Sequence, residues 1–260
     1  MEYELIKPIV KVGNSAGVIL PKEWLNGRAQ IKLVQKPLNI KQEIFSLLEP
    51  YLKDILGIYL VGSYARGEED NSSDIDVLVI TEKENKRILN GKYEIILISK
   101  YDLEKTLKKN ILPLLPMLKE AKSILNDKLI ENYIETPITR KNLKFHIELS
   151  KSAMKMEKTA IELAEMQNEN ISDNIMYSLV LRLRQTYIVD CLIKNKKQNN
   201  KDFLKLVRMI TGSEKSYEAY IRSKNNEKRQ EIISLLEAKK IYSYLKKKII
   251  KQEKWVKTKR

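Results

Sequence analysis

The chain has 260 residues, 32% of them charged, and 49 Lys and Arg against 34 Asp and Glu leave a formal net charge of +15. Its single cysteine (Cys191) excludes an internal disulfide framework, and one cysteine with one histidine argues against a zinc site. No apolar run approaches the roughly 20 residues that span a bilayer, and Met1-Glu2-Tyr3-Glu4 lacks the basic and apolar parts of a signal peptide, so a soluble, cytoplasmic protein with no membrane partner is expected. The charge is uneven. Residues 1–138 hold 20 basic and 20 acidic side chains, whereas residues 139–260 hold 29 and 14. A neutral first half beside a basic second half suggests a polyanionic partner, RNA first, with a solvated lysine-rich helical surface as the plainer alternative.

Residues 1–38 read as short strands and tight turns. Leu5 to Val12 is extended, with Pro8 marking an edge or a strand start. Gly13 to Gly17 is a turn, Val18-Ile19-Leu20 a strand, Pro21 to Leu25 a helical turn with Pro at its first position, Asn26-Gly27 a turn and Ile31 to Val34 a strand. So short a segment buries little core, so it must dimerise or lean on a neighbour. Its string Val10-Lys11-Val12-Gly13-Asn14-Ser15-Ala16-Gly17-Val18-Ile19-Leu20-Pro21 resembles the AbrB/MazE-like swapped-hairpin domain across about residues 5–37. That resemblance implies a homodimer of interleaved hairpins. It also leaves open DNA binding through Lys11, Lys22 and Arg28 or a clasp with no DNA role.

Pro37-Leu38-Asn39 looks like a linker, and Ile40 to Leu56 carries a helical apolar face, with Pro50 a possible kink. The most informative stretch follows. An apolar run, Ile58 to Val61, meets Gly62-Ser63; ten residues later Asp74-Ile75-Asp76 opens a second apolar run to Ile80. On a strand, side chains alternate, so Asp74 and Asp76 share one face while Ile75 and Val77 point into a core. Two neighbouring carboxylates repel unless a cation lies between them, and Mg²⁺ shares such oxygen sites with phosphates. A Gly-Ser turn that opens a helix offers outward N–H groups to a phosphate. Asn90-Gly91 is a hairpin signal leading to a third strand, Tyr93 to Ser99, expected to run antiparallel beside the second. Glu94 is the one acid in that strand, and Asp102 follows it.

The Gly-Ser, ten-residue spacer and Asp-x-Asp pattern resembles the catalytic motif of the polymerase-beta-like nucleotidyltransferases. With Ala65-Arg66-Gly67 it looks like the minimal, antitoxin-type members that partner HEPN toxins. The resemblance implies an α+β fold: a mixed sheet with flanking helices over residues 39–138, between the small β domain at 1–38 and an all-α bundle at 139–260. It also implies a site. Asp74 and Asp76 would hold two Mg²⁺ ions about 3.5–4 Å apart, with Glu94 (or Asp102) as the third carboxylate that activates the attacking hydroxyl. Gly62, Ser63 and Arg66 would hold the triphosphate, although a surface ion pair of Arg66 with Glu69 or Asp70 is the competing reading. ATP is the implied donor. The absence of a third carboxylate would leave a nucleotide-binding pseudoenzyme.

Beyond Ser99, residues 103–122 look helical but broken by Pro113 and Pro116, Ser123 to Asp127 looks like a last short strand, and Thr136-Pro137 closes the domain. Residues 139–260 contain one Gly (Gly212) and no Pro, as a helical bundle would. Met176, Val180, Leu183, Tyr187 and Cys191 form a core stripe, and Cys191 on it reads as packing. Breaks fall at Gln198-Asn199-Asn200 and Thr211-Gly212-Ser213, and Lys246 to Arg260 reads as a basic tail around Trp255. Arg140 and His146 have the spacing of HEPN ribonuclease residues but open the bundle, so ribonuclease activity is not supported. The acceptor expected from all this is an RNA end or a protein hydroxyl. A DNA-binding regulator with a nucleotide-sensing fold is the alternative class. An aminoglycoside-modifying enzyme ranks low, because a cationic drug favours an acidic pocket.

Overall fold

The computed structural model describes residues 5–32, 39–70, 73–227 and 234–258. The chain divides into two compact units, Met1–Ser46 and Leu47–Arg260.

In the first unit β1 (Ile9–Val12) and β2 (Ser15–Val18) form an antiparallel hairpin closed by Gly13-Asn14. Gly13 takes φ +58°, the conformation a two-residue turn with Gly first requires. The turn is therefore shorter than the expected Gly13–Gly17, and the strand lies at Ser15–Val18, with Ile19 and Leu20 beyond it. A 3₁₀ turn, Lys22–Trp24, follows Pro21, which sits just outside it as the N-cap. Ile6, Ile19, Leu25 and Ile31 remain exposed, as a unit too small for its own core predicts. The expected strand at Ile31–Val34 does not begin at Ile31-Lys32, and its remainder, with Pro37-Leu38, lies outside the described residues.

α1 (Ile40–Leu48) crosses into the second unit and stops there, because Pro50 removes an amide and clashes with the preceding turn. The helix expected to reach Leu56 thus ends early. A five-stranded mixed sheet follows in the order β5-β6-β4-β3-β7, from β3 (Ile55–Val61), β4 (Ile75–Thr81), β5 (Lys86–Asn90), β6 (Tyr93–Ser99) and β7 (Lys122–Leu125). β4 is antiparallel to β3 but parallel to β6, which corrects the antiparallel expectation. The reason is an unanticipated strand. β5 forms the hairpin with β6 around Gly91-Lys92, with Gly91 at φ +56°, and takes the edge. Its polar side chains suit an edge, whereas the apolar β6 slots between it and β4. β4 is buried along nearly its whole length, as a strand covered on both faces should be.

α2 (Gly62–Arg66), α3 (Lys100–Lys109), α4 (Leu114–Glu120) and α5 (Asp127–Ile134) flank the sheet. Pro113 separates α3 from α4, as expected, but Pro116 lies inside the first turn of α4, where an amide has no partner to lose. α5 is an addition to the expected elements; Asn126, in the left-handed region at φ +65°, caps it by accepting from the Leu129 N–H.

The bundle comprises α6 (Arg140–Met166), α7 (Asp173–Ile193), α8 (Asn200–Thr211), α9 (Lys215–Lys224) and α10 (Leu235–Thr258), with the breaks where the sequence places them. Met176, Val180, Leu183 and Cys191 are buried and Tyr187 half-buried, so the stripe is core. α3 packs on α6, and one continuous apolar core joins Tyr59, Val61 and Leu78 of the sheet to the bundle. Lys246 onward is not a free tail. It is the last part of α10, where Gln252 and Val256 are buried and Trp255 packs against the core. His146 is buried against Gln252, 3.2 Å away, and burial lowers its pKa, so it serves packing.

Candidate active site

The motif converges where β3 ends beside the start of β4. Gly62 takes φ +70°, and a Cβ on it would lie 2.1 Å from Asp76 Oδ2. Only glycine lets the chain turn into α2 against that carboxylate. Asp76 sits opposite Val61 on β3 and, through the parallel register, opposite Glu94 on β6. Asp74 lies two residues earlier and is exposed, whereas Asp76 and Glu94 are half-buried. Asp76 therefore has its pKa pushed up to about 6, by burial first, then by the charges of Glu94 and Asp74. Arg87 on β5 pairs with Glu94 at 2.8 Å. Asp102, the alternative third carboxylate, lies past the opposite end of β6. It accepts from the Ser99 hydroxyl at 3.0 Å and the Asn85 amide at 2.8 Å, which makes it part of a helix cap.

Ser63 is half-buried behind Gly62. Arg66 does not pair with Glu69 or Asp70. Its Nε meets Glu68 Oε2 at 2.7 Å and its Nη1 meets Glu120 Oε2 at 2.7 Å. Glu120, at the end of α4, also accepts from the Gly62 N–H at 2.9 Å and the Gln198 amide at 2.8 Å, and Glu68 accepts from the Asn200 N–H at 2.8 Å. These two carboxylates tie α2 to the α7–α8 connection. Sequence reasoning missed Glu120 because it is 54 residues from Arg66 with no motif around it. It also missed Lys224, at the end of α9, whose charge pulls the Asp76 pKa back down. One lysine among so many carries no signal of its own.

Among the described residues, no three His, Cys, Asp or Glu side chains stand close enough together to cage a metal ion unaided. The donors nonetheless fit Mg²⁺ in kind, since carboxylate oxygens suit a hard cation that keeps water and phosphate in its shell. The crowding that raises the Asp76 pKa is what such a cation would relieve.

A separate cavity of about 380 Å³ opens between α7, α8 and α10. Lys194, Lys196, Lys197, Lys205 and Lys248 line it, with Tyr187 and Tyr244. Lys248 pairs with Asp190, and Lys205 with Asp202 at 3.5 Å. Among the described residues no ion pair holds Lys194, Lys196 or Lys197.

A family model described as a nucleotidyltransferase domain matches residues 41–181, more than half of the chain. The chain belongs to that family, and it is a nucleotidyltransferase enzyme with a nucleotide as substrate. No curated protein matches it. Among solved structures it is similar to a nucleotidyltransferase-like protein from Exiguobacterium sibiricum, at 13% identity, covering 82% of this chain and 74% of that one with a TM-score of 0.38. It is also similar to a spectinomycin adenyltransferase from Enterococcus faecialis, crystallised with ATP and spectinomycin, at 12% identity, covering 80% of this chain and 97% of that one with a TM-score of 0.42. Among the described residues no helix is long and apolar enough to cross a membrane.

Proposed function

We propose that the protein moves a nucleoside monophosphate, AMP from ATP, onto a hydroxyl of a macromolecule and releases pyrophosphate. The observation that carries this reading is the register that sets Glu94 opposite Asp76, with Asp74 two residues away and Gly62 against the Asp76 carboxylate. Asp74, Asp76 and Glu94 are the residues that would hold Mg²⁺, one ion or two, which supplies charge neutralisation at the phosphates and a lower pKa for the attacking hydroxyl. In this reading Glu94 accepts that hydroxyl's proton once Arg87 lets it go. On the same reading Gly62, Ser63 and Arg66 orient the triphosphate, which requires the Gly62 N–H and the Arg66 Nε and Nη1 to exchange Glu120 and Glu68 for phosphate oxygens. The charge of Lys224 acts on Asp76 and favours its ionised form. A second reading, nucleotide sensing without transfer, is favoured by the Arg87–Glu94 pair, which occupies the base.

The bundle's basic cavity supports a polyanionic acceptor such as RNA, and the motif's resemblance to antitoxin-type enzymes supports a protein acceptor. Incubation of the protein with α-labelled ATP, Mg²⁺ and cell lysate, followed by separation of RNA from protein, tests transfer and sorts the acceptors. Label in neither fraction, at any Mg²⁺ level, refutes transfer. Residues 1–38 are read as a separate AbrB/MazE-like domain that makes the chain a homodimer and leaves DNA binding through Lys11, Lys22 and Arg28 open. Residues 39–138 and 139–260 are read as the catalytic and helical domains. Deleting residues 1–38 should leave transfer intact and reduce the mass measured by light scattering; an unchanged mass removes the clasp.

A further inference from the structure

α7 ends in a tightly specified turn. Asn195 enters the left-handed region at φ +48°, its N–H donates to the Leu192 carbonyl at 3.1 Å, and the Lys196 N–H donates to the Cys191 carbonyl at 2.9 Å. This paired closure satisfies carbonyls at the end of the helix. It brings Lys194, Lys196 and Lys197 to the cavity of about 380 Å³ between α7, α8 and α10. Lysines after a helix C-terminus suit its dipole, and that alone would account for these three. It does not account for Lys205 and Lys248, which reach the same cavity from the middle of α8 and of α10.

The two acids in the wall are already occupied. Asp190 pairs with Lys248 and accepts from the buried Gln252 amide at 2.9 Å; Asp202 pairs with Lys205 and accepts from the Asn199 amide at 2.8 Å. Three ammonium groups are left over, with no ion pair among the described residues. Like charges gathered round one hollow repel, and an anion between them removes the repulsion. Lysine is a compact point charge with three donors and suits a phosphate group. The rest of the wall is of another kind: Leu183, Leu206 and Met209 are apolar, and Tyr187 and Tyr244 contribute rings. The volume, about 380 Å³, falls among small-ligand pockets of about 300–1,000 Å³. None of Asp74, Asp76 and Glu94 lines the cavity.

We infer that this cavity is a second anion site, for a small phosphomonoester with an apolar or aromatic body. The phosphate lies among Lys194, Lys196 and Lys197, and the body against Leu206 and the two tyrosines. The site does not depend on the transfer reaction. The segment that supplies Lys196 and Lys197 runs straight on to Gln198 and Asn200, which hold Glu120 and Glu68. A ligand held by Lys197 is thus one residue along the chain from the contacts that fix Arg66.

The test is calorimetric titration of phenyl phosphate into the full chain in metal-free, low-salt buffer. It should bind at one site, with inorganic phosphate several-fold weaker for want of a body. Lys194→Gln/Lys196→Gln/Lys197→Gln should weaken phenyl phosphate at least tenfold; these side chains are exposed, so the fold tolerates the change. Lys246→Gln/Lys247→Gln/Lys251→Gln removes the same charge outside the cavity and should weaken it less than twofold. Met209→Trp keeps every lysine but narrows the cavity, and should weaken it several-fold. The Asp74→Asn/Asp76→Asn chain should bind it as the wild type does. None of these readouts is turnover, so transfer can fail with this site intact and this site can fail with transfer intact. Absence of phenyl phosphate binding overturns the inference, whether or not a short RNA without terminal phosphates binds. So do equal losses in the two lysine variants, or loss in the aspartate variant.

Discussion

The sheet and the bundle treat charge in opposite ways. Around the ends of β3, β4 and β6 the ionisable groups are few, mostly acidic and half-buried, and their neighbours are specific: Asp76 lies close against Gly62, Glu94 pairs with Arg87, and Glu120 with Arg66 and Gln198. In the bundle the ionisable groups are many and mostly solvated lysines, with a small buried minority, Asp173 with Arg222 and His146 with Gln252. The difference teaches where charge does local chemistry and where it acts at a distance. Partly desolvated carboxylates interact strongly with a cation at contact, whereas solvated lysines attract a polyanion over about a Debye length.

Substitution of the sheet carboxylates should break this comparison most sharply. On the proposed reading, in which they hold the metal, Asp76→Asn or Asp74→Asn should lower transfer by several orders of magnitude, because losing such a ligand removes several kcal/mol of charge stabilisation. The fold should survive, and the rate of label transfer from α-labelled ATP is the measurement. Near wild-type turnover in either variant would remove these residues from the reaction.

Next in size is the bundle's buried ion pair. Arg222 Nε donates to Asp173 Oδ2 at 2.9 Å with both side chains about nine-tenths buried. Removing one partner should destabilise the protein by about 3–5 kcal/mol, because it strands a charge, while replacing both with apolar residues should recover much of that loss. Denaturant unfolding of Asp173→Leu, Arg222→Met and the double variant tests it; equal loss in all three would mean the pair is not coupled.

Acid should separate the two regions in sign. Asp76 has a folded pKa of about 6, above its ordinary value of 3.8. The folded state therefore binds its proton more tightly, and the contribution to stability is present at low pH and lost as pH rises from about 4 to 6. His146 has its pKa lowered from 6.5 by burial, so its contribution is present at neutral pH and lost as pH falls below that value. In metal-free buffer Asp76→Asn should flatten the pH 4–6 arm of the melting-temperature profile and raise its neutral plateau. His146→Gln should flatten the acidic loss. A profile unchanged by Asp76→Asn would show that its carboxylate is not crowded.

The smallest effect belongs to the solvated lysines. Changing Lys194, Lys196 and Lys197 to Gln should leave melting unaltered and weaken binding of a short single-stranded RNA. The slope of log affinity against log salt should flatten by about 0.7 for each phosphate that is no longer neutralised. Truncation at residue 251 is a poor substitute for this experiment, since Gln252 and Val256 are core residues. Salt-independent binding in both proteins would shift the weight to a protein acceptor.

Much of this was legible along the chain. The two aspartates on one strand face, the Gly-Ser turn, Glu94 on a neighbouring strand, the core stripe of α7 and the breaks around α8 follow from periods of two and 3.6 residues and from turn chemistry, all of which act over a few positions. What the sequence did not disclose is long-range. That β6 lies parallel to β4 depends on β5, a short polar strand whose place is decided by the free edge left to it. The partners of Arg66 depend on Glu120, 54 residues away, and the positive charge that lowers the Asp76 pKa comes from α9. The end of α10 reads as a solvated tail until His146 and Thr186 are seen to bury Gln252. Local backbone preference and side-chain alternation are properties of neighbouring residues and survive in a linear reading. Register, ion-pair partners and burial are settled only when distant segments compete for the same space, and that competition exists in the folded chain alone.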